Sequence, residues 1–160
     1  MIQDTQTIFS GTIAADGTRT GQAITATAIS ANVVDLRNAS TPALVDEGLS
    51  GPEVWLVVVA ISAAAGGDAA KTLTITLESD VLATMASAPV VHFSTPAILG
   101  SAITAGATLV RVQLPSADYK RFLGVRYTVS AGFTSFPVMA FLVNDVQRNV
   151  IYPSGFTIDV

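Results

Sequence analysis

Hydrolytic or nucleophilic chemistry needs a base beside a hydroxyl or thiol. This chain has one histidine, His92, and no cysteine. His92 lies in Val90-Val91-His92-Phe93, which reads as part of a strand. The nucleophile-elbow pattern Gly-x-Ser-x-Gly is absent. Two carboxylate pairs stand close in sequence, Asp46 with Glu47 and Glu78 with Asp80. Residues at i and i+2 of a strand share a face, so Glu78 and Asp80 could work together at a strand end. Neither pair has the further oxygen ligands at fixed spacing that calcium binding needs. No phosphate-cradling glycine loop occurs, and Gly66-Gly67 reads as a turn. The expectation is a protein with no catalytic residues, no metal and no cofactor.

What remains is chemistry of contact. Residues 111–126 carry Arg111, Lys120, Arg121 and Arg126 against the single acid Asp118, a net +3 on a chain whose overall charge is −4. Such a basic strip can orient a protein on an acidic partner; pairing of these arginines with the chain's own acids is the alternative. Phe133 and Phe136 flank Thr134-Ser135, and Tyr152 and Phe156 flank Pro153-Ser154-Gly155. Aromatics beside a turn either fold back onto the domain or stand out as contact anchors. Residues 1–20 are polar, with spaced apolar positions that include Ile2 and Phe9. That pattern suits an extended N-terminal arm which docks on a neighbouring subunit. The candidate interface is therefore Ile2, Phe9, Arg111, Arg121, Arg126, Phe133, Phe136, Tyr152 and Phe156.

The elements that must position these residues are strands. Val, Ile and Thr make up 48 of the 160 residues, while only two Lys and three Glu are present. β-Branched residues suit a pleated surface and lose rotamer freedom in a helix. Val54 to Ile61 is apolar throughout and predicts a strand buried on both faces, with Trp55 in the core. Thr72 to Ser79 alternates strictly, with Leu73, Ile75 and Leu77 inward. Thr108 to Leu114 turns Val110, Val112 and Leu114 inward, and Phe122 to Val129 turns Leu123, Val125, Tyr127 and Val129 inward. Pro137 to Val143 completes the strong set; Ala23 to Ile29, Asn32 to Leu36, Pro89 to Ser94 and Thr157 to Val160 are weaker. Ser116 to Tyr119 predicts one helical turn. About eight short strands at regular spacing argue for a single all-β domain, a jelly-roll or β-sandwich over residues 21–160, preceded by the arm at 1–20.

Composition narrows the setting. Only 12% of residues are charged, about half the usual share. An Ala, Thr and Val surface suits a subunit covered by neighbours better than a lone monomer. The acidic balance offers no footprint for nucleic acid. The uncharged stretch from Val81 to Val110 is broken by Pro89, Pro96, Gly100 and Gly106, which predicts no membrane span. The opening Met1-Ile2-Gln3-Asp4-Thr5 lacks the basic and apolar regions of a signal peptide.

Four segments carry a resemblance. They are Met1-Ile2-Gln3-Asp4-Thr5-Gln6-Thr7-Ile8-Phe9-Ser10, Ile24-Thr25-Ala26-Thr27-Ala28-Ile29-Ser30-Ala31-Asn32-Val33-Val34-Asp35-Leu36, Lys120-Arg121-Phe122-Leu123-Gly124-Val125-Arg126-Tyr127-Thr128-Val129 and Tyr152-Pro153-Ser154-Gly155-Phe156. In this order they resemble the tailed-phage capsid cement (decoration) proteins of the jelly-roll family typified by a Bordetella phage. The Ala- and Gly-rich segment 62–70 and the loop near 37–53 differ from that pattern. The resemblance implies a non-enzymatic structural protein made in the host cytoplasm. In the virion it would sit on the outer surface of the head, bind the major capsid protein, cement adjacent subunits and form homo-dimers or homo-trimers. Two other classes compete. A carbohydrate-binding jelly-roll module of a tail or spike would use Phe133, Phe136 and Tyr152 as platforms. A small β-sandwich hydrolase would have to use His92.

Overall fold

The computed structural model describes residues 7–36 and 54–143. Its elements are strands and two short 3-10 turns, Gly66–Asp68 and Gly100–Ala102. In chain order the strands are β1 (Ile8–Ser10), β2 (Thr12–Ile13), β3 (Arg19–Thr20), β4 (Gln22–Ile24), β5 (Ala28–Ile29), β6 (Val34–Asp35) and β7 (Trp55–Ala60). There follow β8 (Thr72–Asp80), β9 (Val90–Ser94), β10 (Ile98–Leu99), β11 (Thr108–Gln113), β12 (Phe122–Val129) and β13 (Phe136–Val143).

The pairings define a jelly roll. One sheet runs β1-β13-β7-β11, with β4 also on β13; the other has β8 and β12 at its centre, with β9 and β10 on β8 and with β5 and β6 on β12. All the pairs are antiparallel. Taking β1 with β4, β5 with β6 and β9 with β10 as interrupted single strands leaves eight strand positions. The first then pairs with the eighth, the second with the seventh, the third with the sixth and the fourth with the fifth. That is one long hairpin rolled into two sheets, the jelly-roll winding.

Alternation makes the core. Leu73, Ile75 and Leu77 of β8 and Leu123, Val125 and Tyr127 of β12 are fully buried against Leu56, Val58 and Ala60 of β7 and Val138 and Ala140 of β13. Each large side chain buried this way contributes about 1.5–3 kcal/mol. The continuous apolar run of β7 has its reason on the opposite face. Val57 and Val59 join Ile8, Met139 and Phe141 in a second buried cluster, with Ile13 packed beside it. Tyr127 pushes its hydroxyl to the sheet interface, where it meets Ser10 Oγ at 2.8 Å. Burial holds that phenol well above its ordinary pKa.

Four expectations about elements are corrected. The arm is not separate from the domain at residue 20. Ile8 pairs with Phe141 and Ser10 with Ala140, and Phe9 is fully buried, because its ring fills the space between the sheets. The first strand is interrupted by the β2–β3 hairpin, which departs at Gly11 and returns at Gly21. Gly11 has φ +87°, and a Cβ there would sit 2.6 Å from the Thr20 carbonyl oxygen. Ser116 to Tyr119 forms no helical turn; Tyr119 donates its hydroxyl to the Pro115 carbonyl at 2.5 Å and closes an extended strap. Trp55 is half-buried rather than a core residue, since it stands at the end of β7. The expected strand at Ala23 to Ile29 is split into β4 and β5, where the chain crosses from one sheet to the other. The expected strand at Thr157 to Val160 lies outside the described residues.

Candidate interaction surface

The sheet winding separates the arginines. Arg111 is on β11, while Arg121 immediately precedes β12 of the opposite sheet and Arg126 lies in its middle. Arg126 donates from Nε to the Glu78 carboxylate at 2.9 and 3.1 Å and from Nη2 to the Met85 carbonyl at 3.0 Å. Arg121 binds Asp35 through Nε and Nη2, the latter at 2.8 Å, and lies over the Phe122 ring at 4.7 Å. Lys120 Nζ reaches the Ala88 carbonyl at 2.6 Å. The basic strip is thus not a continuous surface. Arg111 is exposed and forms no ion pair among the described residues.

The phenylalanines are corrected too. Phe133 and Phe136 are buried and meet edge to face with centroids 5.1 Å apart. They close one end of the sandwich, and Lys71 Nζ stands 5.9 Å from the Phe133 centroid. Folding inward removes a large apolar area from water, so neither ring, nor that of Phe9, is available as a contact anchor or a sugar platform. Ile2, Tyr152 and Phe156 lie outside the described residues.

The acids are built into the fold. Asp68 is buried, with Lys71 Nζ at 2.6 Å and the Thr134 N–H at 2.8 Å; the Lys71 contact first, and then the Thr134 bonds, hold its carboxyl below the ordinary range. Glu78 is buried against Arg126 and also accepts from Thr76 Oγ1 at 2.7 Å. Asp80 is fully buried and clamps the loop 81–89 at both ends, accepting from the N–H groups of Val81 at 2.6 Å and Ser87 at 2.8 Å. Burial pushes the Asp80 carboxyl up, but those backbone donors together hold it below its usual value. Glu78 and Asp80, which spacing alone would let work together, are each engaged by different partners. Among the described residues no group of three or more His, Asp or Glu stands where it could hold a metal.

His92 accompanies Ser79, with Nε2 and Oγ 2.7 Å apart, and its ring leans on Tyr119 at 4.4 Å between centroids. Ser79 is fully buried and its Oγ also accepts the Lys120 N–H at 3.0 Å. The hydroxyl has one proton and two lone pairs, so with Lys120 bound it can still serve His92 as donor or acceptor. Burial lowers the pKa of His92 and so favours the neutral imidazole.

The feature that sequence reading missed lies beside this network. Among the described residues, Val81, Leu82, Val90, Val91 and Leu99 are the exposed large apolar ones, from 41% at Val90 to 54% at Val91. All five lie at the β9–β10 edge of the second sheet or on the loop leading to it. That loop is held stiffly. Met85 is buried at φ +53° and Ala88 stands at φ +90°, left-handed conformations that cost non-glycine residues of order 1–3 kcal/mol. The Asp80 clamp, the Arg126 bond to Met85 and the Lys120 bond to Ala88 together offset that cost. Consecutive apolar residues at Val81-Leu82 and Val90-Val91 were the available signal.

No helix among the described residues is long and apolar enough to cross a membrane. No curated protein matches the chain. The family model Bbp16 matches residues 18–141, which take in nearly the whole sandwich from the β3 strand to β13. The chain belongs to the Bbp16 family, a Bordetella phage protein family.

Proposed function

We propose that the protein is a capsid decoration protein, which binds the outer surface of a phage head and cements adjacent major capsid protein subunits as a small homo-oligomer. Membership of a phage protein family, over most of the chain, is the observation that carries this reading. Three physical features support it. The surface is poor in charge and carries an apolar edge, which suits a protein covered by neighbours. The net charge of −4 suits a position away from packaged DNA. The buried acids Asp68, Glu78 and Asp80 and the histidine are spent on holding the fold, and Ser79 beside His92 has no exposed surface for a substrate to reach.

The mechanism is mechanical. A two-sheet sandwich with a packed core deforms little, so surfaces on its different sides keep a fixed separation. Where two of them engage adjacent capsid subunits, the second contact forms at high effective concentration, and separating the subunits requires breaking both. Arg111 is one exposed cation, outside the ion pairs of the described residues, that suits an acidic capsid surface.

The test is binding of the purified chain to expanded heads that lack it, with occupancy and resistance to heat or osmotic shock measured. Saturable binding and a tougher head are expected; heads that neither bind the chain nor gain resistance overturn the proposal. Deleting residues 1–20 removes Phe9 and β1 and unfolds the sheet edge. An arm is therefore tested by truncating residues 1–6 alone, with lowered occupancy on heads expected and unchanged occupancy removing the arm from the reading. The carbohydrate alternative keeps no support from Phe133 and Phe136, both buried.

A further inference from the structure

The β9 strand pairs with β8 on one side, and among the described residues no strand covers its other side. An open edge presents a row of N–H and C=O groups that pairs readily with another strand. Proteins commonly blunt such edges with charge. Residues 90–99 contain no Asp, Glu, Lys or Arg, and His92, the one titratable group, is half-buried against Ser79 and Tyr119. Pro89 and Pro96 lack N–H groups and so limit any added pairing to the residues between them. Val90 and Val91 are exposed on this edge strand, and Val81 and Leu82 are exposed on the clamped loop that leads to it.

We infer that this edge is where two copies of the chain meet, β9 against β9 of a second copy in antiparallel fashion about a two-fold axis. An isologous contact sets each residue group against itself. A charge-free edge meets that condition without repulsion. The β11 edge of the other sheet does not, because its exposed Arg111 would face a second Arg111. The apolar residues of the 81–89 loop flank the added strands and are shielded by the same contact. The stiff loop has its apolar groups in place before association, so little ordering cost falls on binding. This inference rests on the oligomeric part of the reading above and assigns it a surface.

Sedimentation equilibrium on the full chain is the test. The expected species has twice the 16.5 kDa chain mass. Val91→Lys puts a like charge from each copy into the paired seam and is expected to weaken association by roughly a hundredfold, with its thermal unfolding preserved. A monomeric wild-type chain at tens of micromolar (roughly the range a modest dimer occupies), or a Val91→Lys chain that dimerises as tightly as the wild type, overturns the inference. Because the chain has no cysteine, Val90→Cys and Val91→Cys provide a check that does not depend on destabilisation. Under mild oxidation at least one of them is expected to give a covalent dimer, and Thr108→Cys on the β11 edge none. A failure of both, or equal cross-linking of Thr108→Cys, overturns it as well. Head binding is scored separately. A dimer that ignores heads sinks the decoration reading and leaves the edge assignment standing. A monomeric wild-type chain that binds heads sinks the edge assignment alone.

Discussion

Arg126 ties three parts of the second sheet together, and its removal has a calculable cost. The Glu78 carboxylate is 5% exposed and the Arg126 side chain 28%. Arg126→Met leaves Glu78 with Thr76 Oγ1 as its other partner and leaves the Met85 carbonyl without its guanidinium donor. Breaking a buried pair by removing one partner costs about 3–5 kcal/mol. Arg126 retains some contact with water, so the lower end, about 3 kcal/mol, is the expected loss. For a domain of this size that lowers Tm by roughly 6–12 °C. The double variant Glu78→Met with Arg126→Met removes both charges and fills the space with apolar atoms. It is expected to recover at least about 2 kcal/mol of the loss, since paired charges and their apolar replacement stabilise a fold about equally. Urea denaturation of wild type, both single variants and the double variant measures the coupling energy. Single losses that simply add in the double variant would refute the idea that Glu78 and Arg126 stabilise the sheet as a pair.

Two further outcomes follow from the same structure. Gly21→Ala puts a Cβ 2.8 Å from Pro137 Cβ and from the Val138 nitrogen, so β4 must move off β13; thermal unfolding should fall by several degrees, whereas Gly67→Ala, with open space around it, should change little. The lowered pKa of Asp80 gives stability that is complete above its ordinary value of 3.8 and is lost as pH falls through the folded value below it. Tm measured from pH 6 to pH 2.5 should therefore drop on the acid side for the wild type and drop less for Asp80→Asn, which starts lower at pH 6.

Much of the fold was legible in the sequence because burial on one face imposes period two. Leu73, Ile75 and Leu77, or Leu123, Val125 and Tyr127, declare their strands and their inward faces. The eight apolar residues from Val54 to Ile61 declared two buried faces, and two clusters do cover them. The contact residues were harder, for a topological reason. A rolled hairpin sends successive strands to opposite sheets, so Arg111 and Arg126 are close in sequence and belong to different sheets. Phe133 and Phe136 had two readings in sequence, and only the sandwich end decides that both fold inward. The apolar edge escaped notice because its members come from β8's end, β9 and β10, and are brought together by pairing rather than by spacing.

The rolled pairing also bears on how the chain reaches its native state. β1 finds its partner in β13, the last described strand, and β5 and β6 find theirs in β12. The first strands to leave a ribosome thus wait for the last before their edges close. Loop-closure entropy across such separations slows folding. The local β8–β9 hairpin needs no such wait and is the natural first contact. Native structure therefore spreads outward from the middle of the chain, and its two described ends meet last.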